Sequence, residues 1–283
     1  MTILSIQSHV ACGHVGHQAA VLPLQRLGYD VIAVPTVIFS NHPGHGSYRG
    51  MALGATELEE LLVGLEQHGA TQDIRAIHTG YLDSDNQGEV IWEFIKRLRA
   101  RKNNAPFFCD PVMGDKEKGL YVAKDVAEFL RTHAAETAET LFPNQFELEY
   151  LTGRPIANLE DALRAADSLR DKGARTVVAT SLHLADQFPQ GLCTVAVADE
   201  GAFLGAVPLL HHTPKGAGDL LAACFMGRAL KHESLSMALS HALTSTHRIL
   251  ELSVRGESKE LLVVEGQEFV PKPGNLVAVN KVR

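Results

Sequence analysis

The segment Pro214-Lys215-Gly216-Ala217-Gly218-Asp219, followed by the apolar run Leu220-Leu221-Ala222-Ala223-Cys224-Phe225, carries the strongest chemical signal in the chain. Two glycines around a small residue let a backbone approach a ligand closely. The helix that must follow offers unpaired N–H groups and the positive end of its dipole, so Gly216, Ala217 and Gly218 read as an anion hole suited to a phosphate. Asp219 stands at the start of that helix. It reads either as a capping carboxylate or as a base that accepts the proton of an alcohol attacking the phosphate. The dipole is expected to lower its pKa and make it a weak base. That suffices for phosphoryl transfer, whose loose transition state demands little early proton removal. The loop is not of the Walker type, since no Gly-Lys dipeptide occurs in the chain. No GxGxxG follows the first strand either, which disfavours a dinucleotide-binding dehydrogenase.

Two further segments add carboxylates. Cys109-Asp110-Pro111-Val112-Met113-Gly114-Asp115 places two acids on a turn fixed by Pro111 and Gly114. Such acids either serve the turn itself or hold Mg²⁺ against nucleotide phosphates. Phe142-Pro143-Asn144-Gln145-Phe146-Glu147 puts Glu147 in the first turn of a helix, where a carboxylate is favoured in any case. Taken together, Asp110, Asp115 and Glu147 are expected to form a hard-cation site.

These segments need a scaffold that brings them to one place. Short β-rich runs alternate with amphipathic helices along the chain. Strands are predicted at Ile3–Ile6, Tyr29–Val37, Asp73–His78, Pro106–Cys109, Thr140–Phe142 and Arg175–Thr180, with a hairpin of Thr194–Ala198 and Ala202–Val207. Helices are predicted from the loop Gly13–Gly16 to Leu27, then at Glu57–Gln67, Gln87–Lys102, from Pro143-Asn144, from an Asn158 cap to before Gly173, and at Gly218–Lys231 and Ser234–Leu252. Asn41–Gly50 reads as a glycine- and histidine-rich loop. Alternating strands and helices imply a three-layer α/β/α fold around a mostly parallel sheet, with chemistry just past the carboxyl ends of the strands. No linker, low-complexity segment or internal repeat breaks residues 1–283, so a single domain is expected.

Composition narrows the class. With 283 residues, 45% of them hydrophobic and 21% charged, the chain has the make-up of a globular protein and not of a disordered or collagen-like one. The longest apolar stretches are too short to span a membrane. The amino terminus lacks the features of a signal peptide, and four scattered cysteines do not make a disulfide framework, so a cytoplasmic setting is expected. Cys109 and Cys193 read as small buried residues. A net charge of −7 argues against nonspecific nucleic-acid binding. There are 14 histidines, among them His9, His14, His17, His42 and His45 near the start. They lack the paired CxxC or HxxxH spacing of a structural zinc site. His9, His14 and His17 are expected in the loop and helix start after the first strand, and His42 and His45 in a loop covering the substrate.

Taken in order, the motifs are similar to those of the ribokinase superfamily, and among its members the chain most resembles the pyridoxal (vitamin B6) kinases. The resemblance covers nearly the whole chain: Leu4-Ser5-Ile6-Gln7-Ser8-His9-Val10, Gly13-His14-Val15-Gly16, Thr36-Val37-Ile38-Phe39-Ser40-Asn41-His42, Thr79-Gly80-Tyr81-Leu82, the two acidic segments, Thr180-Ser181 and the glycine loop. It implies a ribokinase-like fold and ATP-dependent phosphorylation of the 5′-hydroxyl of pyridoxal, with pyridoxine and pyridoxamine left open as further substrates. It implies Asp219 as base. Ser8, Val15, Val37, Phe39, Pro43, Gly44 and Tyr81 would line the substrate, and Asp110, Asn144, Glu147, Thr180, Ser181 and Lys215 the nucleotide. Mg²⁺, a monovalent cation such as K⁺, and a homodimer are implied as well. The chain departs from the family at Pro43, where a threonine is usual, at Phe142, where a small or hydroxylated residue is usual and which is expected to narrow the metal or phosphate pocket, and at Ala217. Lys215 either touches the nucleotide or is solvated. Two rival readings remain: a hydroxymethylpyrimidine or other small-alcohol kinase of the same fold, and a non-catalytic pyridoxal phosphate binder. The second has no need of Asp219, Asp110 and Glu147.

Overall fold

The structure is a computed structural model and describes residues 1–283 except 102 and 186. Its frame is β1 (Thr2–Val10), β2 (Asp30–Phe39), β3 (Gly50–Ala52), β4 (Ile74–Thr79), β5 (Phe107–Cys109), β8 (Thr140–Leu141), β9 (Thr176–Leu182), β10 (Gly191–Ala198), β11 (Gly201–Pro208) and β12 (Val279–Lys281). These form one sheet in the order β12-β11-β10-β9-β8-β5-β4-β1-β2-β3. The strands from β9 through β8, β5, β4 and β1 to β2 pair in parallel, while β3, β10, β11 and β12 are antiparallel additions at the two edges. A separate two-stranded ribbon joins β6 (Gly114–Asp115) to β7 (Gly119–Leu120).

Helices cover both faces of the sheet. They are α1 (His17–Arg26), α2 (Ala55–His68), α3 (Asp85–Ala100), α4 (Lys124–Thr137), α5 (Gln145–Thr152), α6 (Leu159–Arg170), α7 (Ala217–Ala229) and α8 (Leu235–Arg255). The alternation of strand side chains decides the layers. Leu4, Ile6, Val177, Ala179, Val195 and Val197 point to a core with Leu62, Phe94, Leu130, Leu148 and Leu163 from α2 to α6. Ile3, Val178 and Ala196 point the other way, to Leu24, Phe225 and Leu239 from α1, α7 and α8. The expected α/β/α layering with a mostly parallel sheet is therefore the observed fold.

Several boundaries differ. β1 runs on to Val10, so Ser8 and His9 lie within the strand and not beyond it. The ladder to β2 shifts register between Gln7 and His9, which keeps a polar stretch in the sheet. α4, β3, β12 and the β6–β7 ribbon have no counterpart among the predicted elements. α3 ends at Ala100, and the predicted end at Lys102 lies outside the described residues. Phe142 does not narrow a pocket. It is buried between Phe108, with ring centroids 6.4 Å apart, and Phe225, at 5.6 Å, on the α7 side of the sheet.

Candidate active site

The site gathers at the carboxyl ends of β1, β4, β5, β8 and β9. The glycine loop enters from the far end of the sequence. Gly216 caps α7 with φ of 94°, a conformation that favours glycine. A Cβ there would lie 2.1 Å from the His14 carbonyl, so only glycine lets this loop seat against the turn after β1. In the first turn of α7 the N–H groups of Ala217, Gly218 and Asp219 precede the first intrahelical acceptor and are left for a ligand.

Asp219 is fixed across the fold. Its Oδ2 accepts the backbone N–H of Gly16 at 2.9 Å. Gly16 in turn presses on the proposed substrate serine, since a Cβ at Gly16 would stand 2.3 Å from Ser8 Oγ and 2.2 Å from the Ser8 carbonyl. On its other side, a Cβ at Gly218 would lie 3.8 Å from the Asp110 carboxylate. Asp219, Ser8, the glycine loop and Asp110 are thus in one place. The pKa of Asp219 is raised to about 6 by burial, with the Gly16 N–H pulling the other way. This reverses the lowered value expected from the dipole, because desolvation by the surrounding protein outweighs one hydrogen bond and a helix end.

The acids divide by role. Asp110 is 7% exposed, and burial together with the charges of Glu147 and Asp219 pushes its pKa well up. Glu147 belongs to a capping box with Asn144 at the start of α5. Its Oε2 accepts the Asn144 N–H at 2.8 Å, and its Oε1 accepts the Met113 N–H at 3.0 Å and the Gly114 N–H at 3.5 Å. Burial still lifts its pKa to about 7 against those three bonds. Glu147 therefore holds the acidic turn to the helix. Asn144 does the same, with Nδ2 donating to the Gly114 carbonyl at 2.8 Å. Asp115 Oδ1 accepts the N–H groups of Glu117 and Lys118 at 3.1 and 2.8 Å, and its Oδ2 lies 3.8 Å from Lys215 Nζ. Among the described residues no three His, Cys, Asp or Glu side chains converge on one ion position. The expected triad thus does not close by itself. Buried Asp110, facing other acids, still fits a hard cation whose remaining ligands come from phosphate and water.

This constellation coincides with whole-chain similarity to known enzymes. A family model described as phosphomethylpyrimidine kinase matches residues 49–262. The pyridoxal kinase PdxY of Rubrobacter xylanophilus is 42% identical over 283 residues, covering 100% of this chain and 98% of that protein. The PdxY of Leifsonia xyli is 39% identical, covering 100% of both. The chain belongs to the pyridoxal kinase family. Among solved structures, the pyridoxal kinase of Leishmania donovani in complex with ADP and pyridoxamine superposes with a TM-score of 0.93 at 30% identity, covering 100% of this chain and 99% of that one.

The other residues expected at a pyridoxal kinase site fall into two groups. Val15 and Val37 are buried, while Phe39 and Tyr81 are partly exposed. Phe39 packs on Tyr48 with ring centroids 4.9 Å apart, and burial pushes the Tyr81 hydroxyl up to about 12. Pro43 and Gly44 are exposed on a short helical turn, Pro43–His45. Proline fits there because its missing N–H falls at the first position of the turn, and His42 Nδ1 accepts the Gly44 N–H at 3.0 Å. Thr180 is buried within β9, two residues before its end, and bridges to Asn144, whereas Ser181 is exposed with φ of 52°. Three residues in this region were not singled out from the sequence. Tyr48 is one. Tyr121, from the segment after β7, has an exposed side chain whose hydroxyl is raised in pKa by local desolvation and then by the charges of Glu147, Asp110, Asp115 and Asp219. Glu260 is the third. Glu260 makes its contacts across the fold, and Tyr48 and Tyr121 stand in loops outside the quoted motifs, so no local pattern marks them.

Proposed function

We propose that the protein is an ATP-dependent pyridoxal kinase that transfers the γ-phosphoryl group to the 5′-hydroxyl of pyridoxal, with Asp219 as the base. The observation that carries this is the Asp219–Gly16 hydrogen bond with Ser8 pressed against Gly16. It joins the base to the serine taken to anchor the pyridine ring. In this reading Val15, Val37, Phe39 and Tyr81 give the flat substrate apolar and aromatic faces, and Pro43 and Gly44 border it. The N–H groups of the Gly216-Ala217-Gly218 loop receive the transferred phosphoryl group. Asp219 takes the hydroxyl proton as the oxygen–phosphorus bond forms and ADP leaves. A pKa near 6 leaves Asp219 ionised at neutral pH and still basic enough to share that proton.

Thr180, Ser181, Lys215 and Asn144 border the nucleotide in the same reading. Asp110 would hold Mg²⁺, with Glu147 and Asp115 keeping its loop in place. The ion would supply charge neutralisation between the acids and the phosphates. A monovalent cation, a single ribokinase-like domain over residues 1–283, a homodimer and a cytoplasmic setting complete the reading. Among the described residues, no helix is long and apolar enough to cross a membrane.

The test is to incubate the protein with ATP and Mg²⁺ and, separately, pyridoxal, pyridoxine, pyridoxamine and hydroxymethylpyrimidine. Phosphorylated pyridoxal is expected. Turnover of hydroxymethylpyrimidine alone would favour the rival small-alcohol kinase of the same fold, and binding of pyridoxal phosphate with no turnover would favour a carrier.

A further inference from the structure

Glu260 follows α8, far in sequence from every motif above. Its Oε2 accepts the backbone N–H of His14 at 3.1 Å, and its Oε1 lies 3.0 Å from His45 Nδ1. The carboxylate lies over Gly13, where an added Cβ would meet both oxygens at 2.7 Å. The Glu260 backbone is itself held. Ser258 Oγ accepts its N–H at 3.1 Å and donates to its carbonyl at 2.8 Å, and Ser253 Oγ accepts the Leu262 N–H at 2.9 Å. The next residue, Leu261, is fully buried, with Cδ1 3.1 Å from where a Gly216 Cβ would be.

These contacts meet at the turn after β1. Glu260 binds that turn on one side, and Gly216 of the anion hole seats on the His14 carbonyl on the other. Two residues later the same turn presents the Gly16 N–H to Asp219. The second arm of the Glu260 carboxylate reaches the exposed turn Pro43–His45.

We propose that Glu260 is a positioning residue that latches the Pro43–His45 turn over the pyridoxal site and couples it to the turn that aims Asp219. The latch rests on the pyridoxal kinase reading and adds to it a residue that touches neither substrate. It acts through His45 on closure over pyridoxal and through His14 on the base. Small displacements of a reacting group have large effects on rate, so a latch of one hydrogen bond and one ion-pair contact is sufficient to matter.

The test compares the wild type with Glu260→Ala, Glu260→Gln, His45→Ala and the Glu260→Ala/His45→Ala double variant. For each, kcat and KM are measured for pyridoxal at saturating ATP and KM for ATP at saturating pyridoxal. Loss of the latch is expected to lower kcat/KM for pyridoxal roughly ten- to a hundredfold in Glu260→Ala. The ATP KM should stay within about twofold, since the nucleotide borders other elements. Glu260→Gln keeps an acceptor for the His14 N–H and a partner for His45, and should recover most of the loss. The double variant should be no worse than the poorer single one, a departure from additivity beyond about threefold. His45 is on an exposed turn, so its variant reads the latch even where Glu260→Ala folds poorly. Additive losses, an equal rise in both KM values, or no recovery in Glu260→Gln would each overturn the latch. Because the wild type is run in the same assay, absence of wild-type turnover overturns the kinase reading itself, and the latch with it.

Discussion

Asp219 is the residue on which opposing effects act most plainly. A helix end and the Gly16 N–H favour its ionised form, and burial opposes them and wins, placing the pKa at about 6. As the proposed base, Asp219 must be deprotonated to work. kcat/KM for pyridoxal is therefore expected to fall as pH drops through about 6, approaching tenfold per unit below it, and a pH–rate profile flat down to pH 5 would contradict this. Asp219, Asp110 and Glu147 were legible in the sequence because each stands in a local motif whose chemistry can be read from neighbouring residues. The direction of the Asp219 shift was not, since the dipole is visible in the sequence and the protein mass around the carboxylate is not. The Gly16–Asp219 contact and Glu260 escaped for a related reason. Gly16 and Asp219 lie 203 residues apart, His14 and Glu260 246, and a backbone N–H has no signature of its own.

At the scale of elements, the turn between β1 and α1 carries most of the precision. Gly16 has φ of 55°, and a Cβ there would collide with both the carbonyl and the hydroxyl of Ser8. Gly16→Ala should displace the N–H that holds Asp219 and cut kcat/KM for pyridoxal about a hundredfold or more, while circular dichroism shows the helix content kept. Near-wild-type kinetics in that variant would mean the turn does not position the base. The alternation of strands and helices was readable because its periods are distinct. β1 was cut short in the sequence reading because Gln7, Ser8 and His9 are polar, whereas in the structure Gln7 is fully buried and donates to Ser5 Oγ at 2.9 Å. α4 was missed although Val126, Ala127, Leu130 and Ala134 are buried along one face, because alanines mark an apolar face weakly. The short strands β3 and β12 exist through pairing at the two sheet edges, and β6 and β7 are two-residue strands of one tight ribbon, so none has much pattern of its own.

Over the whole molecule, buried titratable groups pull in opposite directions. His17 and His78 are held neutral, with pKa values lowered to about 4 and about 3 by burial, so their contribution to stability is lost as pH falls below the ordinary histidine range. Asp110, Glu147 and Asp219 have raised values, so their contribution is present in acid and is lost as pH rises through those values. In the ligand-free protein, Asp219→Asn removes one of these carboxylates. It should raise Tm at pH 8 by about 2–6 °C, with the difference shrinking as pH falls from 6 towards 4. A variant less stable than wild type at pH 8 would show that the Asp219 charge is not desolvated in the fold. The histidines of the first segment also find their place at this scale. His14, His42 and His45 serve turns around the site, and His17 Nε2 lies 3.1 Å from the Ser5 carbonyl at the base of α1.

The same variant gives the most direct measurement. Asp219→Asn keeps the shape of the side chain and an oxygen for the Gly16 N–H but cannot take a proton. With ATP and Mg²⁺ saturating, kcat for pyridoxal should drop about 10²- to 10⁴-fold, while the Kd for pyridoxal by calorimetry stays within about threefold. Turnover at the wild-type rate, with binding intact, would contradict Asp219 as the base of this kinase.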